Sequence, residues 1–260
     1  MWQGLRRNGP NVAKVWRLAD RKMNGRAKGQ RNMMKPMWMR GILLTGLMML
    51  GACGPAVSAS ETSVSPGSEL YIRILKTTES RSKGVLQLWK RGEGERFQLE
   101  GSFDICTWSG TLGPKLKEGD GQSPEGFYFI KPSSLNPNSS YHLSFNLGFP
   151  NAFDRANGRT GSFLMVHGEC VSIGCYAMTN TGIEEIYAEV EAAFTSGQSL
   201  IRVHIFPFEM TPENLDAQKY NPNYAFWENL KTGWDWFERE ETPPNVTVRD
   251  AKYYFEAAAE

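Results

Sequence analysis

Short runs of alternating apolar and mixed positions recur from residue 70 onward. Residues 70–75, 85–89, 96–99 and 103–108 alternate and are separated by Gly, Ser and Lys, which predicts the strands of a meander. Residues 127–130, 141–147, 162–166 and 200–206 read as further strands. The last of these puts Ile201, Val203 and Ile205 on one face and Arg202, His204 and Phe206 on the other. Gly- and Pro-rich stretches at 113–126, 132–140 and 150–161 are the intervening loops. One stretch carries a helical period: Ile183, Ile186, Tyr187, Val190, Ala193 and Phe194. It follows the capping-box pattern Thr181-Gly-Ile-Glu184 and stops at Gly197. Residues 214–239 are helical in texture and rich in aromatics, among them Trp227, Trp234 and Phe237, whose density points to packing. The pattern predicts a mainly β fold with helices, of the α+β class. A core spans residues 69–210, and a helical, aromatic-rich extension spans 211–260.

Upstream of the first strand the texture is different. Residues 1–32 are basic and lack helical periodicity, and we read them as disordered or as an upstream over-prediction of the start. Residues 33–52 pair a positive segment with an apolar run too short to span a bilayer, as a signal peptide does. Leu50-Gly-Ala-Cys53 resembles a bacterial lipobox, which makes Cys53 the lipidation candidate; Val57-Ser-Ala59 is the competing cleavage site. Residues 53–68 form a flexible Ser/Pro/Gly tether. These features predict an exported, periplasmic protein whose contact with a membrane is through a lipid anchor.

Charge sharpens this division. The chain of 260 residues has a net charge of +1, but residues 1–52 hold eleven Lys/Arg and one acid. From Cys53 onward there are 18 basic and 27 acidic residues, a net charge of −9, which argues against binding a phosphate backbone. No nucleic-acid partner is expected.

The chemistry concentrates in residues 165–178, which hold one of three histidines and two of four cysteines. His167 stands eight positions before Cys175, with Gly168 after the histidine and Gly174 before the cysteine. A thiol of pKa about 8.5 beside an imidazole of about 6.5 is a latent nucleophile. Backbone N–H groups near Gly174 and Tyr176 are candidate oxyanion donors. The capped helix that follows would favour a thiolate if its positive end points at Cys175. Two other readings stay open: a buried structural thiol, and a zinc site built from His167, Cys170 and Cys175. His204 is read as structural, or as an alternative base. The three cysteines beyond Cys53 are an odd number, so at least one thiol should stay free.

Four strings occur together with this pair: Ser109-Gly-Thr-Leu-Gly-Pro-Lys-Leu116, Gly119-Asp-Gly-Gln-Ser-Pro-Glu-Gly126, Leu147-Gly-Phe-Pro-Asn151 and His167-Gly168 followed by Ser172-Ile-Gly-Cys175-Tyr-Ala-Met178. They resemble the L,D-transpeptidase (YkuD) catalytic-domain family, in its YafK-type branch, over residues 70–210. The resemblance implies a mixed β catalytic domain without metal or cofactor. Cys175 would be the nucleophile and His167 the base, acting on peptidoglycan stem peptides. The branch implies hydrolysis that releases a murein lipoprotein from diaminopimelate, in preference to crosslinking or lipoprotein attachment. Many family members have a histidine where this chain has Ile173 and an arginine shortly after the cysteine, where it has Tyr176-Ala-Met178. Arg155 and Arg159, with Tyr141 and Ser172, are therefore the candidate substrate contacts. Asp120 and Glu125 are expected to order their loop. The competing reading from another class is a non-enzymatic wall-binding module stabilised by zinc or by a disulfide, Cys170–Cys175 being the near pair.

Overall fold

The computed structural model describes residues 69–92, 94 and 96–257. The basic N-terminal segment, the signal, the tether and Cys53 lie outside the described residues. Three β units make up the strand content. A central sheet has the order β3-β2-β1-β9-β4, from β1 (Glu69–Leu75), β2 (Val85–Arg91), β3 (Gln98–Asp104), β4 (Gly126–Ile130) and β9 (Ile201–Phe206). A smaller sheet has the order β5-β6-β7-β8, from β5 (Leu135–Asn136), β6 (Ser144–Asn146), β7 (Met165–His167) and β8 (Tyr176–Ala177). A hairpin pairs β10 (Asn245–Arg249) with β11 (Lys252–Glu256). The α+β reading holds.

The alternation along the central strands sorts their side chains onto two faces. Ile72, Ile74, Tyr128, Ile130, Val203 and Ile205 fill the front core together with Phe145, Val166 and Tyr176 of the small sheet. The helix α2 (Asn180–Thr195) closes this core with Ile183, Ile186, Tyr187, Val190 and Ala193, the residues its period foretold. Each of the isoleucines and the valine, fully buried, stabilises by about 1.5–3 kcal/mol. The cap sits two residues earlier than the capping-box pattern suggested: Thr179 is the N-cap, and its hydroxyl accepts the Gly182 N–H at 3.0 Å.

The back face bears Tyr71, Arg73, Phe127 and His204, and it carries the C-terminal segment. After the short α1 (Ala152–Ala156) and α3 (Pro212–Asp216), α4 (Tyr224–Glu240) lays Trp227, Leu230, Gly233, Trp234 and Phe237 onto the sheet. Gly233 is required there, because a Cβ would come within 2.5 Å of the Phe127 and Phe255 rings. The extension is not wholly helical: residues 245–256 form the hairpin, turned at Asp250 and Ala251 with φ of 48° and 56°. The two strands expected at 96–99 and 103–108 are one, β3. Gly101 looked like a break but lies in extended backbone over the Phe103 ring.

Among the described residues no helix is long and apolar enough to cross a membrane.

Candidate active site

β7 and β8 run parallel, with Val166 opposite Tyr176 and His167 opposite Ala177. Val166 and Tyr176 are fully buried in the front core. The alternation therefore turns Met165 and His167 to the other side of the small sheet. Cys175, two residues before Ala177, comes up beside Met165, whose backbone N–H points at its sulfur. β7 thus ends on His167, and Cys175 immediately precedes β8, the neighbouring strand.

The imidazole is 2% exposed and fixed from two sides. Its Nδ1 lies 2.6 Å from the Gly168 carbonyl. A carbonyl only accepts, so Nδ1 carries the proton and Nε2 keeps its lone pair. Tyr141 lies against the ring at 4.7 Å between centroids, tilted by 36°. The turn after His167 is tight: Gly168 N–H donates to the Tyr141 carbonyl at 3.0 Å, and a Cβ at Gly168 would meet Asn180 Oδ1 at 2.7 Å. Glu169 and Cys170 follow with φ of 69° and 49°, a conformation that costs a non-glycine residue roughly 1–3 kcal/mol.

Cys175 is the free thiol among the described residues. Its hydrogen points to the Phe163 carbonyl at 3.7 Å rather than to the imidazole. Burial pushes the thiol up, opposed by the Met165 N–H and the Lys115 charge. Burial also pushes His167 down, opposed by its bond to Gly168 and by Glu169. The resting pair is therefore a neutral thiol and a neutral imidazole. The helix does not supply a thiolate: β8 and Met178 stand between Cys175 and the Thr179 cap.

A cradle of serines holds the peptide that carries the sulfur. The Ser123 and Ser172 hydroxyls both donate to the Cys175 carbonyl, at 3.1 and 2.7 Å. The Ser109 hydroxyl accepts the Gly174 N–H at 2.5 Å and lies 3.4 Å from the Ser172 hydroxyl, and the Ser109 N–H donates to the Ser123 hydroxyl oxygen. Gly174 has φ of 116°, which the turn into Cys175 demands and only glycine adopts without strain. Ser109 and Ser123 were visible as parts of sequence strings, but nothing in one chain told them apart from ordinary turn serines.

The loop that brings in Ser109 and Ser123 is anchored from below. Glu125 and Lys76 are both fully buried, with Oε1 and Nζ 3.0 Å apart. Glu125 also accepts the Gly113 N–H at 2.7 Å and the Trp227 indole N–H at 2.8 Å, while Lys76 Nζ donates to the Gly113 carbonyl at 3.0 Å. Asp120 gathers Lys115 Nζ and the N–H groups of Leu116, Lys117 and Gln122. These bonds outweigh its partial burial and hold its carboxyl down at about 2. Both acids sit in the loop framework, as their sequence setting suggested.

A disulfide joins Cys106 to Cys170. It ties the turn after His167 to the exit of β3, where Thr107 bridges Ala177 of β8. This removes Cys170 from the zinc set with His167 and Cys175, and it corrects the near pairing Cys170–Cys175.

Other sequence candidates land elsewhere. Arg159 is buried on Asp154 at 2.9 Å and sandwiched between Phe153 and Phe226, each about 4.8 Å away, so its guanidinium is turned into that cluster. Arg155 is exposed on α1 and donates to the Pro150 carbonyl. Tyr176 pairs in the ladder, and its hydroxyl donates to the Pro124 carbonyl at 2.6 Å. The Gly174 N–H is taken by Ser109, so as an oxyanion donor it needs that hydroxyl to swing away. His204 lies on the back face of the central sheet among Tyr71 and Phe127, away from the small sheet. An unforeseen feature is an exposed apolar set in the loops near the thiol: Leu116, Phe163, Val171 and Ile173.

A model of the L,D-transpeptidase catalytic domain, YkuD, matches residues 86–205. The chain is 46% identical over 227 residues to the Escherichia coli (strain K12) protein named Putative L,D-transpeptidase YafK, covering 83% of this chain and 90% of that one. Two crystal structures of the helical cell shape determining protein Pgp2 from Campylobacter jejuni align with TM-scores of 0.42 and 0.41, at 20% and 18% identity. They cover 65% and 70% of this chain, and the chain spans 56% and 74% of theirs.

Proposed function

Because the chain belongs to the L,D-transpeptidase (YkuD) catalytic-domain family, we propose that it is a cysteine acyl-enzyme acting on peptidoglycan stem peptides. The observations that support this reading are one free, half-buried thiol immediately before β8 and, on the neighbouring strand β7, an imidazole whose Nδ1 is tied to a carbonyl, leaving Nε2 as the base.

The chemistry follows in two halves. His167 Nε2 takes the Cys175 proton as sulfur attacks the carbonyl at the L-centre of the stem peptide, whose leaving amine is that of a D-residue in crosslinking and that of the linked lipoprotein in release. The tetrahedral intermediate collapses to a thioester, and the imidazolium returns the proton to the departing amine. Water or a second amine then attacks the thioester, and the imidazole again accepts and returns one proton. Two neutral partners suit this role: the lowered imidazole stays unprotonated near neutrality, and the raised thiol keeps its proton until an acceptor is in place. We favour water as the acceptor, releasing a diaminopimelate-linked lipoprotein, on the similarity to the YafK-type branch and on Ile173 where many relatives carry histidine. The same reading takes residues 69–210 as the catalytic domain, 211–260 as its extension, residues 33–52 as an export signal and Cys53 as a lipid anchor in the periplasm.

Intact mass after incubation with a purified muropeptide tests the central step. An acyl adduct that disappears in Cys175→Ala is expected; turnover retained by that variant overturns the reading. Sacculi with and without linked lipoprotein separate the two outcomes, since a rise in new crosslinks contradicts hydrolysis. A native protein that no thiol reagent labels at Cys175 would instead favour a disulfide-stabilised wall-binding module.

A further inference from the structure

A cavity lies on the back face of the central sheet, under the β10–β11 hairpin. It has a volume of about 230 Å³. Register separates it from the thiol: Arg202 stands beside Tyr71 and Phe129, and His204 beside Arg73 and Phe127, all on the face opposite the front core. The sheet itself therefore lies between this cavity and the core on which β7 and β8 pack.

Its polar groups are few and unequal. His204 lines the cavity and is 1% exposed; its Nδ1 has no hydrogen-bond partner and is itself closed to solvent. A buried polar atom left unpaired costs about 1–3 kcal/mol. Its neighbours cannot relieve it: Tyr71 and Phe127 present ring atoms to it, at 4.8 and 4.7 Å between centroids. Arg202, two residues away on the same strand face, is half-buried and donates to the neutral Asn245 Oδ1 at 2.8 Å. The acid nearest in register, Glu69, is held by Arg91 at 3.0 Å. Arg73, on the other side of His204, is already paired with Glu238. The surplus charge at the cavity is therefore the positive charge of Arg202. The remaining walls are apolar, with Phe127, Phe129, Val246 and Val248 among them. Phe129 is half exposed, so the cavity opens to solvent on that side.

We propose that this cavity binds a small monocarboxylate with an aromatic or branched apolar body. The carboxylate sits on the Arg202 guanidinium, the charged group of the lining. The apolar body lies against Phe127, Phe129 and the hairpin valines. The size fits, since an apolar cavity of ~150 Å³ already accepts a benzene ring. A charge-assisted bond to guanidinium favours a carboxylate over a neutral amide.

The test titrates the full-length protein with N-acetyl-L-phenylalanine and with N-acetyl-L-phenylalaninamide, followed by calorimetry. Saturable binding of the acid is expected, with the amide at least about tenfold weaker. Arg202→Gln should bring the acid down to the level of the amide. Alkylating Cys175 with iodoacetamide should leave both affinities unchanged. No saturation by about 10 mM, equal affinity for acid and amide in the unsubstituted protein, or loss of binding on alkylation would each overturn the proposal. The acid–amide comparison needs no variant, so it stands even if a substitution disturbs folding.

Discussion

Two histidines define two regions of this molecule. Both are buried, and burial is the largest influence lowering the pKa of each. His167, at the front, sits on a strand of three residues, in a neighbourhood where His142, Phe163, Glu169 and Cys170 all have positive φ. Short strands cannot hold such a backbone by their ladders alone. Here the work falls to serine hydroxyls, a disulfide and a buried ion pair. His204, at the back, sits on a regular six-residue strand in an aromatic layer. Its position is held by packing. A buried histidine is thus no guide to chemistry on its own; what distinguishes the front ring is a carbonyl that sets its tautomer and a free thiol immediately before the neighbouring strand.

The sharpest way to break this contrast is to substitute one residue on each side. Cys175→Ala should abolish turnover, a loss of several orders of magnitude, with the thermal midpoint unchanged. Leu230→Ala, on the buried face of α4, should cost about 2–5 kcal/mol of stability while turnover per folded molecule stays the same. Steady-state rates and denaturant unfolding on both variants check the pair. Next in size is the brace at the front. Replacing Cys106 and Cys170 together by alanine should cost roughly 2–5 kcal/mol, read by urea unfolding, and should also lower kcat because the turn after His167 loses its tie. A loss of stability with kcat intact would assign the bond to the fold alone.

Much of the fold was legible. The front helix announced itself by period, and the central strands by alternation. The misses have physical causes. Residues 96–108 look interrupted at Gly101, yet on an edge strand a glycine over an aromatic ring continues the extension. The terminal hairpin turns at Asp250-Ala251, a pair without the glycine that marks most two-residue turns, so its two alternating runs passed for the end of a helical region. At the site, the sequence offered the thiol and the imidazole because their chemistry is rare in this chain. It hid the serine cradle, since a hydroxyl that holds a carbonyl 52 residues away leaves no local pattern. It gave no hint that Arg159 is buried on Asp154 between two phenyl rings, since only the fold brings these together.

Smaller effects refine the front region. Ser123→Ala removes one of two hydroxyls on the Cys175 carbonyl and should lower kcat about tenfold with KM little changed, about 1.4 kcal/mol in the barrier. Ser123→Thr should recover part of the loss. The smallest signal is in pH. A base acts only when unprotonated, and the His167 pKa is lowered, so kcat/KM should fall in acid through a value below the usual imidazole 6.5. The Cys175 pKa is raised, so iodoacetamide labelling should climb through a value above the ordinary thiol range.

The bond between Cys106 and Cys170 has a consequence for how the remaining thiol is measured. With both of these sulfurs occupied, a thiol-directed label on the folded protein reports Cys175 among the described residues. A reductant strong enough to open the bond uncovers two more sulfurs and mixes three signals into one. Labelling without reductant therefore keeps the readout on a single atom.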